Sequence, residues 1–142
     1  MGVISKIKEQ EAEKAWKEEP RCRQSKMIIG GINHRRSKYL LGLSKSNLRA
    51  VTGIITGHNT LNRHLNIIGI KSDPTCPHCG LEETSKHLLA ECIMYAASRF
   101  SIFGRDKLEE GELRDVNLKD VLLFCRKTRR LEEKSMGTPL EQ

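Results

Sequence analysis

Apolar side chains recur at the spacing of one helix face in the centre of the chain. Leu48, Val51 and Ile54 follow this pattern, Ser46 is the expected N-cap, and Gly57 predicts the end of the helix. A second short helix is expected directly afterwards, because apolar residues continue at similar spacing beyond the glycine. The pattern therefore predicts two helices joined at a glycine.

The second of these helices has Leu61, Leu65 and Ile68 as its expected apolar face and Asn59 or Thr60 as its cap. One interpretation of the pair is a helix-turn-helix whose polar side chains face a DNA groove, namely Asn62, Arg63 and Asn66. The favoured interpretation is that the glycine is a C-cap and that the histidine after it packs or hydrogen-bonds beneath the cysteine-rich segment that follows.

The N-terminal segment is charged and rich in helix formers, which predicts an exposed helix that ends before Pro20 and docks through Trp16. Residues 27–29 run into a glycine pair and predict a short strand or, nearly as well, an extended loop. Residues 37–43 predict another short helix.

Three further helices are expected in the second half of the chain. Residues 83–90 predict a short helix that carries His87, and residues 93–103 predict a helix that ends at Gly104. An apolar stripe predicts an amphipathic helix from about Asn117. The expected fold class is mainly α, a small helical domain with a zinc knuckle and a C-terminal amphipathic helix.

These elements divide the chain into five expected segments. They are an N-terminal helix (1–19), a basic segment with the helical pair (20–72), a Cys/His knuckle with following helices (73–104), a C-terminal amphipathic helix (105–131) and a flexible tail (132–142).

Composition predicts a thin core. Only 37% of the 142 residues are hydrophobic and six are aromatic, which makes stabilisation by a metal or a partner plausible and excludes a large two-layer enzyme. No stretch approaches the roughly 20 apolar residues of a membrane span, and the N-terminus lacks the apolar run of a signal peptide. An intracellular protein, cytoplasmic and nuclear, is expected, without a membrane partner.

The net charge of +7 is concentrated in residues 17–50, the basic segment, whereas lysine and arginine balance the carboxylates elsewhere. In this segment nine basic residues accompany only Glu18 and Glu19. Such a block predicts phosphate contacts to RNA or DNA, although a solvated basic surface is a common alternative. The residues expected to contact nucleic acid are Arg21, Arg23, Lys26, Arg35, Arg36, Lys38, Lys45 and Arg49, together with Arg63 beyond the segment.

The stretch TCPHCGLEETSKHLLAEC predicts a metal site. In a reducing compartment, a Cys-x-x-Cys pair followed closely by a histidine and a cysteine is typical of zinc binding. The expected ligands are Cys76, Cys79, His87 and Cys92. His78, inside the pair, is expected outside the ligand set, and a second site built on His58 and His64 lacks further ligands.

Four protein ligands leave no open position on zinc, so the pattern favours a structural zinc over a catalytic one. The His-x-Glu of a deaminase is missing, and no carboxylate cluster suits a nuclease. Cys22 and Cys125 have no paired spacing and are expected to be core thiols. The three aromatic residues near the knuckle are expected in the core: Tyr95, Phe100 and Phe103.

From about Trp16 to Thr128 the chain resembles the C-terminal region of polyproteins of Jockey-like non-LTR retrotransposons. The similarity lies in Thr-Gly-His at residues 56–58, the Cys-x-x-Cys pair, Glu-Glu-Thr-x-x-His and the following Glu-Cys, all in that family's order and spacing. The family commonly has proline after the last cysteine, where this chain has Ile93.

The resemblance implies a zinc-knuckle region that follows a ribonuclease H domain in a reverse transcriptase polyprotein. The catalytic carboxylates of both enzymes would lie upstream of Met1, so a non-catalytic fragment or degraded copy is expected. It would help to position element RNA or target DNA for reverse transcription. The alternative is a zinc-stabilised interaction module that docks on the ribonuclease H or reverse transcriptase domain through the amphipathic helix near Val121.

Overall fold

The computed structural model describes residues 2–132, and this part of the chain is mainly α-helical. Eight α-helices lie within it: α1 Val3–Glu18, α2 Arg23–Ile28, α3 His34–Leu41, α4 Lys45–Thr56, α5 Asn62–Ile67, α6 Ala96–Phe103, α7 Glu110–Arg114 and α8 Leu118–Thr128. A π-helix, His87–Glu91, and a 3₁₀ turn, Ile93–Tyr95, lie between α5 and α6. The predicted mainly α class is confirmed.

The core forms where α8 packs against α4 and α6, with α2 beside α4 and α7. Val51 and Ile54 of α4 and Val121 and Phe124 of α8 are fully buried there. Phe124 is also in edge contact with Tyr95, whose ring centroid lies 6.4 Å away. The apolar stripe of α8 is therefore covered by the chain itself.

The N-terminal helix is attached through polar contacts, since α1 buries none of its residues. Glu9 accepts a 2.6 Å hydrogen bond from the His34 ring. Trp16 is half-buried, and the Lys26 ammonium lies 5.5 Å from its ring centroid. Lys26 also donates to the carbonyls of Lys17 and Glu19 at the C-terminal end of α1. Trp16 thus contacts a cation on α2 rather than the apolar core.

The expectation of a strand or loop at residues 27–29 is wrong, because the chain forms α2 up to Ile28. Ile28 is buried, and Met27 and Ile29 pack against the same core. Tertiary packing overrides the local preference of these apolar residues for a strand. No helix was predicted for residues 110–114, where α7 forms. Its start carries a reciprocal capping box between Glu109 and Glu112.

Helix ends in the centre of the chain follow the predicted pattern with small shifts. Ser44, rather than Ser46, caps α4 by accepting from the amide of Asn47. Gly57 ends α4 with φ of 79°, a left-handed conformation in which glycine has no steric penalty. Asn59 does not cap α5, but its side-chain oxygen accepts from the Leu61 amide just before the helix.

The later helices match their predictions closely. α6 ends at Gly104, and Asn117 caps α8 by accepting from the Lys119 amide. The helix predicted at residues 37–43 forms as α3, which is shifted toward the N-terminus and spans His34–Leu41. The predicted flexible tail lies, from residue 133 onward, outside the described residues. Among residues 2–132, none of the helices combines the length and apolar character that a membrane crossing requires.

Candidate metal centre

Four side chains converge at one point of the structure, and they are the four that the sequence pattern selects. The ligand atoms of Cys76, Cys79, His87 and Cys92, the metal cluster, all lie within 4.8 Å of one another. Cys76 Sγ lies 3.8 Å from Cys92 Sγ, and Cys79 Sγ lies 3.2 Å from His87 Nε2. A tetrahedron with metal–sulfur bonds of about 2.3 Å has sulfur–sulfur edges of about 3.8 Å. The cluster is therefore compatible with a single metal ion.

A tight turn presents the first two cysteines. Thr75 and Glu82 form an isolated antiparallel bridge, and the Cys76 amide donates to the Leu81 carbonyl at 2.6 Å. Gly80 follows the second cysteine with φ of 76°, which a side chain would strain. The amide of His78 donates to Cys76 Sγ at 3.5 Å.

The π-helix presents the other two ligands. The Cys92 amide donates to the His87 carbonyl at 2.8 Å, a bond between residues five positions apart. In an α-helix such residues diverge around the axis, whereas the wider π turn brings them nearly above one another. The side-chain hydroxyl of Thr84 accepts from the His87 amide at 3.0 Å and fixes the start of this turn. The unusual helix thus directs both side chains to the same side.

Burial disfavours a free thiolate in the cluster. It raises the pKa of the Cys92 thiol to about 11, and the neighbouring Cys76 adds to the effect. Burial also lowers the pKa of His87, which favours the neutral imidazole that binds metals. Metal binding here must displace thiol protons, and the ion then compensates the buried thiolates.

The second nitrogen of the histidine ring also fits a metal ligand. Within residues 2–132, His87 Nδ1 is buried without a hydrogen-bond partner, and a Glu91 carboxylate oxygen lies 3.9 Å away. Ligating histidines usually direct their other ring nitrogen to a carboxylate or carbonyl. Glu91 is placed to orient the ring in that way.

A buried arginine holds the π-helix in place. Arg99 of α6 is fully buried, and its guanidinium donates to the carbonyls of Leu89 at 2.7 Å, Cys92 at 2.9 Å and Leu88 at 3.1 Å. A further bond reaches the carbonyl of Asp106. The carbonyls of Leu88, Leu89 and Cys92 lie at the end of the π-helix, where helical partners are lacking. Arg99 therefore fixes the backbone from which Cys92 extends.

A second ionic contact joins the knuckle to the end of α8. Glu83 is almost fully buried and accepts from the guanidinium of Arg130, with Nε at 2.9 Å. The same carboxylate accepts from the Asn62 amide at 2.8 Å, and Asn62 Nδ2 donates to the Thr75 carbonyl at 2.7 Å. Glu83 thus connects α5, the cysteine turn and the C-terminal helix.

The contacts of Asn62 do not favour a helix-turn-helix. Its side chain is buried against the cysteine turn, and Asn66 Nδ2 donates to the carbonyls of Lys71 and Ser72. Both side chains donate hydrogen bonds to backbone carbonyls of this chain, so they do not extend toward a DNA groove. Arg63 is half-buried, with Nε 3.5 Å from a Glu82 carboxylate oxygen.

The histidine after Gly57 does not lie beneath the knuckle. His58 is exposed and stacks on His64, with ring centroids 4.8 Å apart. Its neighbour Asn59 makes the expected contact instead, since Asn59 Nδ2 donates to Ser85 Oγ at 3.0 Å. Within residues 2–132, only the metal cluster gathers three or more candidate ligands, and the histidine pair is not part of it.

The remaining cysteines and aromatic residues divide between confirmed and wrong expectations. Cys125 is buried as predicted, and burial raises the pKa of its thiol to about 12. Cys22, expected in the core, is exposed at the start of α2. Phe100, also expected in the core, is 64% exposed, whereas Tyr95 and Phe103 pack against the core.

Most of the side chains proposed to contact nucleic acid lie on the surface. The exposed ones are Arg21, Arg23, Arg35, Lys38, Lys45 and Arg49. Lys26 and Arg36 are half-buried, and the Lys26 ammonium is engaged at the end of α1. Arg21 forms a 2.8 Å ion pair with Glu19, and this pairing lowers the pKa of the carboxyl. Six of these cations are therefore exposed, and Arg21 among them is already paired with a carboxylate.

Arg99, Glu83 and Arg130 support the metal cluster, yet the spacing of cysteines and histidines gives no indication of them. The buried position of Arg99 could have been predicted from the sequence. This residue is a single charge between Tyr95 and Ile102 on the apolar side of a predicted helix. The pairing of Glu83 with Arg130 spans 47 positions and has no local signal.

Comparison of the chain with protein-family models, with curated proteins and with solved structures finds no match in any of the three. The arrangement of the residues themselves therefore carries the functional argument.

Replacing Arg99 with leucine is expected to destabilise the metal-loaded protein by at least about 3 kcal/mol, because several buried carbonyls lose their donors at once. Chemical denaturation followed by circular dichroism measures the change. The matched control is Arg35→Leu, at an exposed position of α3. Equal stability of the two variants would contradict a supporting role for Arg99.

Glu83→Gln is expected to cost about 3 kcal/mol of unfolding free energy, because a largely buried ion pair loses one charge. The adjacent Glu82→Gln is the control, since the Glu82 side chain is 59% exposed and should change stability by about 0.5 kcal/mol or less. A double-mutant cycle with Arg130→Met measures the coupling, and additive effects would show that the pair contributes nothing.

Proposed function

We propose that this chain is a non-catalytic, zinc-binding nucleic-acid-binding module. In this proposal the metal cluster is a Cys3His zinc knuckle, and the ion fixes the fold rather than taking part in a reaction. The observation that carries the proposal is the convergence of four ligand atoms, on three buried residues and one half-buried residue, in a chain whose whole net charge lies in the basic segment.

The donor set favours zinc over other biological metals. Three thiolates and one imidazole suit a soft or borderline cation, and tetrahedral sites of this composition are typical of structural zinc. Calcium and magnesium prefer oxygen ligands, which the cluster lacks. Because the protein supplies all four ligands, the zinc ion has no open position for a substrate.

The surface charge supports a polyanionic partner. Helix α8 adds further cations next to the basic segment. The Lys119 ammonium lies 5.9 Å from the Tyr39 ring centroid, and Arg126 donates a hydrogen bond to Ser46 at 3.1 Å. Cations from both halves of the chain therefore lie on neighbouring helices. Phosphate groups of RNA or DNA would release counterions on binding such a surface.

The resemblance to Jockey-like retrotransposon polyproteins supports a more specific setting. In that setting, the module would hold element RNA or target DNA near the reverse transcriptase. Ribonuclease H and reverse transcriptase domains of the same element would be its protein partners, in the cytoplasm and the nucleus.

The alternative, an interaction module that binds a protein through α8, gains no support from the packing. Its expected docking face includes Val121 and Phe124, and both residues are fully buried within this chain. The proposed nucleic-acid role requires no such uncovered helix face.

The purified chain is expected to bind one zinc ion per molecule, and His87→Ala to lose most of its zinc affinity and part of its fold. Isothermal titration calorimetry with circular dichroism measures both. The matched control is His78→Ala, since this exposed histidine lies in the same loop but outside the cluster. Unchanged zinc binding by His87→Ala would remove the proposed site.

Nucleic-acid binding is expected to weaken steeply with salt. If about four phosphates of a single strand are contacted, a plot of the logarithm of affinity against the logarithm of salt concentration should have a slope near −3. Fluorescence anisotropy with labelled RNA and DNA measures the slope in the zinc-loaded protein.

A triple variant tests whether the basic segment supplies these contacts. Arg35→Ser, Lys38→Ser and Lys45→Ser together should reduce the slope by about 2, because three exposed cations are lost. The control carries Arg105→Ser, Lys107→Ser and Arg114→Ser, an equal charge loss from exposed positions elsewhere. Equal slopes for the two variants would place the contacts outside the basic segment.

A further inference from the structure

A groove lies between α4, α5 and α8, away from the metal cluster. It encloses about 650 Å³, which falls within the range of small-molecule sites. Its floor and walls include Ala50, Leu65, Ile68 and Leu131, so a substantial part of the lining is apolar. None of the metal ligands lines it.

Two stacked histidines form one wall of the groove. The rings of His58 and His64 are 4.8 Å apart and inclined by 23°. Burial, and then the neighbouring His58, lower the pKa of His64, so that its ring is mainly neutral at pH 7. Stacked imidazole rings offer a flat surface of the kind on which nucleic-acid bases stack.

Cations from two distant parts of the chain meet in the same groove. Arg49 extends from α4 and Arg126 from α8. Arg126 donates through Nη2 to Ser46 and Asn47. Within residues 2–132 these bonds leave the donors of its Nε and Nη1 for a ligand. The lining carries one carboxylate, that of Glu132.

We propose that this groove binds one unpaired nucleotide of a single-stranded nucleic acid. The base stacks on the His58–His64 pair and contacts Leu65 and Ile68, while Arg126 binds its phosphate. A flat aromatic surface beside guanidinium groups is the combination that single-strand binding uses. A duplex holds its bases in the stack, so inserting one into the groove would cost unstacking and unpairing energy that a single strand does not lose. This inference rests on the proposed function and names the site at which a single strand is distinguished from a duplex.

Titration of the zinc-loaded chain with an oligonucleotide about eight bases long tests the groove directly. Histidine ring signals in proton–carbon NMR spectra report on each imidazole. We expect the signals of His58 and His64 to shift, and that of His78, an exposed ring outside both the groove and the basic segment, to stay unchanged. Equal shifts of all three, or none at His58 and His64, would overturn the proposal.

His58→Ala is expected to lower single-strand affinity about tenfold and to change affinity for the matching duplex by about twofold or less. His78→Ala is the matched control, because it removes an exposed histidine outside both the groove and the basic segment. If both strand forms bind with steep salt dependence and His58→Ala changes neither, the groove proposal fails and the nucleic-acid function stands. If neither form binds the unmodified chain, both proposals fail.

Discussion

The structure depends on the buried guanidinium of Arg99 and its four backbone carbonyls. A full positive charge in the interior is costly, and its burial lowers the pKa of the group. The compensation comes from carbonyl dipoles at the end of the π-helix, where helical geometry leaves them without donors. The contact also places the guanidinium 6.0 Å from the Phe124 ring centroid. One side chain therefore connects the metal cluster to the apolar core.

Glu83 gives the opposite side of the knuckle a similar connection through Arg130 and Asn62. The cysteine turn has little apolar surface of its own, so its position follows from these polar contacts and from the ligands. Metal binding at the cluster would consequently be coupled to packing of the helices, since each orders backbone that the other requires. In a protein with an apolar core of this modest size, such buried polar contacts do much to fix the relative positions of the helices.

Local features of the sequence predicted the residues of the metal cluster. They also predicted the helices whose ends carry a glycine or a capping residue. Gly57, Gly104 and Asn117 end or begin helices because their backbone or capping preferences act within a few residues. The conformation of residues 27–29 was predicted wrongly because packing against α4 and α7, not local preference, decides it. Contacts such as Arg130 with Glu83 depend on the whole fold, so no window of sequence contains them.

The distribution of the five thiols has a practical consequence for spectroscopy. Three belong to the metal cluster and Cys125 is buried in the core, whereas Cys22 is exposed at the N-cap of α2. A metal ion that binds the cluster also protects its half-buried member, Cys79. A maleimide dye or nitroxide would then attach at Cys22, inside the basic segment. The native sequence thus carries its own labelling position on the surface assigned to nucleic acid.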